Sequence, residues 1–465
     1  MHRRNKKILI VVGAIVVAFA LGYGVALARS MAKRRAAYEA LEQDGRPMVA
    51  AEFIPPEVPE DENAAPYYLY AADVLKQQAV TRKKTLLDHL AKLASSVIGG
   101  TSEPGEREEL VTLLEQENVV AALAALEQAL ECPACRFDYG YDNGLWPEPF
   151  PVHDLRELAR LWGARACLEA EAGRTAQAWD MVLAQFKFAD ALYREPLVHR
   201  QVARLGMVSD LCHIVRRLYE IAPPNEADRR KIETLLEAHI DVEHLVHAAD
   251  AERLLRGEWL FNAPQDELYE AMSRDGMMFS YGRGPTVFSR LVFRVIAFRP
   301  RFVADHAAYL RMMRGGVQFL EDPYDLSESH IHQAMGNPAD QPLLTGQWKP
   351  AIVFAKRIHC GVVARVRLTR AGLALLRYRE AHGAFPDSLD ALGLESLIDP
   401  FIEAPLHYRS EAEGFIVYSV GEDQQDNGGA PRRPLDTSGR RPKIPEYDLL
   451  WRYPREAGRQ PGSGT

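Results

Sequence analysis

Several features that would announce a chemistry are missing from this chain. There is no Gly-x-Ser-x-Gly elbow, no glycine-rich phosphate loop leading into Lys-Ser/Thr and no dinucleotide fingerprint, so neither a hydrolase nucleophile nor a nucleotide cradle has a sequence basis. His-Glu-x-x-His is absent too. Five cysteines among 465 residues is not the count of a disulfide-stapled secreted domain. No long basic block follows the first charged stretch, and the net charge is −8, which argues against nucleic acid as a partner. No segment recurs at a fixed period, so a repeat array is not indicated. An enzyme is the less favoured class on these absences alone.

What is present is one long uncharged apolar run, residues 8–28, closed by Lys6 and Lys7 on one side and Arg29 on the other. As a helix it would be about 31 Å long, enough to cross a bilayer core. Ala26-Leu27-Ala28 has the small-residue form of a signal-peptidase site, so cleavage after Ala28 is one reading. The run exceeds the roughly 7–15 residues of a signal-peptide core, which favours an uncleaved signal anchor. Arg3, Arg4, Lys6 and Lys7 are balanced by Arg29, Lys33, Arg34 and Arg35, so flanking charge does not choose the orientation. Long domains translocate largely regardless of charge, and the expectation is a single-pass protein of the inner (cytoplasmic) membrane. Residues 1–7 would form a cytoplasmic tail, and the bulk would be extracytoplasmic. The reverse orientation is the third reading.

The remaining length exceeds what one core holds, so two or three domains are expected. Residues 29–66 read as a juxtamembrane helix followed by a spacer: Ala51 to Pro66 has four prolines and five acids with no base. A helical domain is expected over 67–320. Tyr68, Ala71, Ala72, Leu75 and Ala79 form a helical stripe, and Glu108 to Leu130 reads as one helix. Phe137 to Pro151 reads as an ordered aromatic loop. Asp154, with Glu157 three residues on, reads as the cap of the next helix. Pro223-Pro224-Asn225 opens a long helix ending at Gly257, and Val287 to Phe298 and Val303 to Phe319 are further apolar helices. Residues 321–349, polar and proline-punctuated, read as a linker.

The last unit, 350–453, changes character, and 454–465 reads as a disordered tail. Ala351 to Ala381 is one long helix, stopped by Gly383 and Pro386. Leu406 to Arg409 and Phe415 to Val420 alternate and read as a hairpin, with a possible last strand at Tyr447 to Trp451. The fold class expected is mainly α: an N-terminal transmembrane helix, a multi-helix domain and a small C-terminal α+β module of a long helix and a short antiparallel sheet.

The motifs Tyr378-Arg379, His382-Gly383-Ala384-Phe385-Pro386, Asp399-Pro400-Phe401, Tyr408-Arg409, Tyr418-Ser419-Val420-Gly421-Glu422-Asp423 and Gly428-Gly429 resemble the C-terminal part of major pseudopilins of type II secretion. The whole chain is similar in layout to uncharacterised single-anchor bacterial envelope proteins carrying such a tail. The resemblance implies a small sheet against a long helix and an acidic calcium loop, with Asp423 and Asp448 as its foremost ligands. Pseudopilins join their apolar start directly to the long helix, and here a helical domain intervenes, so only the local fold of the tail carries over.

Three groups of side chains could carry chemistry. Calcium takes six to eight hard oxygens from a flexible loop, and Asp423, Asp426, Asn427 and Asp448 can supply them for a structural ion. His239, Glu243 and His247, spaced four apart, would share one helix face as zinc ligands. Cys132-Pro133-Ala134-Cys135 lacks the strand-to-helix setting of a redox pair and reads as a local disulfide. The function expected is a membrane-tethered envelope interaction or scaffold protein, holding the bilayer through 8–28 and a protein partner through its helical domain. Two alternatives stand beside it: a metal-dependent envelope hydrolase on the His239/Glu243/His247 face, and an accessory subunit of a secretion or pilus-like machine.

Overall fold

The computed structural model describes residues 2–81, 84–137, 141, 152–264, 266–269, 299–337, 348–394, 397–411, 413–430 and 448–454. Most of Phe137 to Pro151, the helix expected at Val287 to Phe298 and nearly all of the 454–465 tail lie outside these residues. The protein is mainly helical, with a small antiparallel sheet closing the described chain.

Helix α1 runs unbroken from His2–Gln43. Ile10, Phe19 and Leu21 on its first half are each 65–70% exposed, an apolar surface with nothing of the chain against it. Among the described residues it is the one helix long and apolar enough to cross a membrane. Its second half is part of the folded body: Ala37 and Leu41 are buried, and it packs on a long helix, α12 (Arg299–Glu321). Tyr38 donates to Glu258 at 2.8 Å, Arg314 holds Asp44, and Arg46 reaches Asp250 at 3.2 Å.

The stretch read as a spacer is laid on the body. It forms 3-10 turns at Ala50–Phe53 and Glu60–Glu62, and Phe53 is buried against Leu254 and Leu255. Helices α2 (Ala65–Lys76), α3 (Leu86–Gly99), α4 (Pro104–Leu114) and α5 (Glu117–Glu131) follow. The Glu108 to Leu130 stripe is therefore two helices, broken at Glu115-Gln116. Thr85 caps α3 with a reciprocal bond to Asp88, the capping box. Helix α6 (Val152–Glu171) starts two residues before Asp154, so that carboxylate does not cap it and instead takes Lys76 Nζ at 2.8 Å.

Helices α7 (Thr175–Ala191), α8 (Val198–Ile221) and α9 (Glu226–Ala238, capped by Asn225) build the centre. After α10 (Glu243–Ala251) the helix loosens into a π-helical turn, Glu252–Glu258, and tightens again as α11 (Trp259–Asn262). Such turns depart from the i→i−4 pattern where side chains must be re-aimed. Here buried Glu252 accepts from Val198 N, Trp348 Nε1 and Arg256, tying three segments together. The stretch read as a linker contains α13 (Glu328–Met335).

Helix α14 (Trp348–His382) is the spine shared by body and tail. One side packs on α8 and the other carries the sheet β5–β6–β7: His407–Glu411, Gly414–Ser419 and Leu449–Tyr453. Every residue of β6 is buried. Four shorter strands form two further antiparallel pairs, β1 (Ala79–Thr81) with β2 (Lys84–Thr85) and β3 (Ile398–Asp399) with β4 (Ala404–Pro405). The largest buried apolar cluster extends from Ala37 to Trp451, joining α1, the helical body and the sheet. Arg216 on α8 fastens the join. It donates to Thr369 Oγ1, the Arg365 carbonyl and the Leu450 carbonyl, and lies over the Trp451 ring.

Candidate functional site

The helix break after Ala238 decides the fate of the His/Glu face. His239 is the C-cap of α9, and Glu243 opens α10 after an intervening turn. The four-residue spacing thus runs across a turn and does not stack the three side chains. His239 is buried, with Nε2 3.0 Å from Asp190 Oδ1 and Nδ1 2.6 Å from the Leu235 carbonyl. His247 lies against the Phe53 ring, and Glu243 is exposed.

In the acidic loop the oxygens meet mostly backbone N–H groups. Asp448, 2% exposed, accepts from Asn427, Gly429 and Ala430. Asp426 accepts from Gly428 N at 2.8 Å and the Tyr418 hydroxyl at 3.0 Å. Asp423 takes Gln425 N and the Asn427 side chain. Asp399, fully buried, does the same work one turn away for Phe401 N, Ser419 Oγ and Val420 N. Among the described residues no three His, Cys, Asp or Glu side chains are grouped so as to hold a metal ion.

Cys132 and Cys135 are free thiols. Cys132 caps α5, its Sγ donating to the Gln128 carbonyl at 3.4 Å, and Ala134 pairs with Asn63 in a parallel bridge. The pair sits on the floor of a cavity of about 420 Å³. Pro55, Pro56 and Val58 form one wall of this cleft, and the end of α7 with Asp190, Tyr193 and Arg194 forms the other. Arg136 Nε donates to the Pro55 carbonyl and so braces the proline wall.

The electrostatics of the cleft are uneven. Burial, then the neighbouring Cys135, Cys132 and Asp190, push the Tyr68 phenol well above its ordinary range. Burial raises the thiols of Cys132 and Cys135, so neither is poised as a thiolate nucleophile. Around this floor stand Arg136, Lys187 and Arg194; Asp190, which already holds His239, is the one lining carboxylate among the described residues, with Glu131 and Glu195 near enough to act on the thiols. The arrangement suits capture of an acidic, extended group better than covalent chemistry.

Two sequence-selected groups, the cysteine pair and His239, thus converge on one cleft through Asp190. Asp190, Arg136 and Lys187 carried no motif; only position on a helix end or a loop singles them out. No family model matches the chain, and neither a curated protein nor a solved structure is similar to it.

Proposed function

We propose that this is a membrane-held interaction protein of the bacterial inner membrane, with its body on the extracytoplasmic side, that binds an acidic segment of a protein partner in the cleft beside Cys132 and Cys135. One observation carries the reading. Helix α1 passes without a break from an apolar, uncovered half into a half whose Leu41 is fully buried in the body. A body built onto its own anchor is suited to presenting a surface at a fixed place. The basic rim of Arg136, Lys187 and Arg194 gives that surface its sign.

A photo-crosslinking residue at Tyr193, on the rim and 41% exposed, tests this in native membranes. The expected result is one discrete protein adduct, lost on Lys187→Glu with Arg194→Glu and absent when the probe sits at exposed Val120. Equal labelling at both positions, or none at Tyr193, overturns it. Protease added to spheroplasts checks the side of the membrane: the body should be digested without lysis.

A second reading, an accessory subunit of a secretion or pilus-like machine, is favoured by the order of long helix α14, hairpin β5–β6 and closing strand β7. It predicts co-purification with other envelope subunits from mild detergent. Recovery of the protein alone counts against it.

A further inference from the structure

A second cavity, of about 260 Å³, lies on the seam between α6, α8, α14 and the turn after β6. Three arginines reach it from two of these helices: Arg156, Arg357 and Arg365. Two glycines make room for them. A methyl group on Gly206 would stand 3.1 Å from the Arg156 guanidinium carbon, and one on Gly361 would stand 3.2 Å from Arg365 Nη1. The backbone is cleared for guanidinium groups on both helices.

The charges are not matched in kind. Arg156 is held by Asp210 in a forked pair at 2.8 and 3.1 Å, but Asp210 also serves Arg160 at 3.0 Å. Arg365 bonds only the Gly361 carbonyl through its side chain and has no carboxylate partner among the described residues. Arg357 Nε, buried and without a hydrogen-bond partner, stands 3.6 Å from Glu422 Oε2 in a long ion pair. Glu422 is the one carboxylate on this wall among the described residues and it acts on both Arg357 and Arg365, one negative charge set against two guanidinium groups. A guanidinium offers five N–H donors in a planar fork that matches carboxylate and phosphate oxygens. Arg357 and Arg365 leave nearly all of theirs unspent. Apart from Ser209 and Glu422 the rest of the wall is apolar, with Phe354, Ile358 and Leu449 its largest side chains.

We infer that this seam cavity is a binding site for a small organic oxyanion, a carboxylate or phosphate on a short apolar body, gripped by Arg357 and Arg365 and floored by Phe354, Ile358 and Leu449. The site is separate from the cleft at Cys132 and shares no residue with it. A ligand there would touch α8, α14 and the loop after β6 together, and so would bear on the same join that Arg216 fastens.

The test uses the full chain in detergent. Thermal melting and titration calorimetry are run with sodium phosphate and with sodium succinate, each against sodium chloride at equal ionic strength. Saturable binding of at least one of the two anions is expected, weakened roughly ten- to hundredfold in R357Q and in R365Q, as loss of charge-assisted hydrogen bonds implies. R165Q, whose guanidinium pairs with Glu127 on another face, should bind as the wild type does. Should R365Q melt far below the wild type, R357Q decides. No saturable binding of either anion, or binding undiminished by these substitutions, overturns the inference.

Discussion

Asn63 and Arg136, 73 positions apart, are joined as though they were neighbours in a sheet: the Asn63 carboxamide donates to the Arg136 carbonyl and accepts from its N–H, both at 2.9 Å. The pairing fixes the proline wall of the cleft to the chain beyond α5. Asn63→Ala should cost about 1–3 kcal/mol, since the carboxamide makes these two bonds and also accepts from Ala65 N at 3.1 Å. Urea denaturation measures it, and amide exchange at Arg136 should quicken. Asn63→Asp keeps the acceptor but sets a carboxylate oxygen against the Arg136 carbonyl, so it should not restore full stability.

Gly372 on α14 lies under Trp451 of β7. An added methyl there would sit 2.0 Å from the ring, which Arg216 and Phe415 hold from other sides. Alanine gains up to about 1 kcal/mol in helix propensity. The overlap should outweigh that and leave Gly372→Ala destabilised by about 1–3 kcal/mol. Adding Trp451→Leu should recover part of the loss, and a double-mutant cycle of melting temperatures reads the coupling.

Asp448 gathers three backbone N–H groups around a buried carboxylate. Removing it in Asp448→Ala leaves them without an acceptor, a loss of about 3 kcal/mol. The loss is expected to be equal in calcium and in chelator, because the bonds that disappear are the loop's own. A wild-type melting temperature that rises with calcium and falls with chelator would instead place an ion there.

His359 supplies a pH dependence. Burial, with Lys356 and Arg204 nearby, lowers its pKa to about 4, although its bond to the Ile240 carbonyl and Asp241 act the other way. The unfolded chain binds the proton near pH 6.5 and the folded protein only near 4. Stability therefore falls as pH drops from about 6.5 to about 4, by a total on the order of 3 kcal/mol from this residue, and is unaffected by it above that window. Urea midpoints across the range should show this slope, flattened in His359→Gln.

The two thiols of the cleft should alkylate slowly. Iodoacetamide at pH 7 is expected to modify Cys132 before Cys135, since both thiols are raised and Cys135 the more strongly. Both should react more slowly than a free cysteine. Mass spectrometry of quenched samples reads the order; rapid labelling of Cys135 would restore a nucleophilic role.

The long apolar run, the 35-residue helix at 348–382 and the hairpin were legible because each rests on local pattern: hydropathy, helical period and alternation on either side of a short turn closed by Gly414. Helix interruptions were harder. Glu115-Gln116 and His239 to Val242 contain neither Gly nor Pro; the one local mark is Asp241, which accepts from Glu243 N at 2.8 Å, and a stripe that continues across a break reads as one helix. His239, Glu243 and His247 share a face only on an unbroken helix. The acidic run at 51–66 misled in the opposite sense: its composition is that of a solvated strand, but Phe53 and Asn63 dock it. The cleft was half visible. Cys132 and Cys135 stood out by spacing, whereas Asp190, Lys187 and Arg194 gain meaning only when α7 is folded back beside them.

Helix α1 spans 42 residues, about 63 Å of rod with no joint along it. The last part of that rod is clamped in the body at Ala37 and Leu41, so the uncovered apolar half leaves the body in one fixed direction with no slack segment between them.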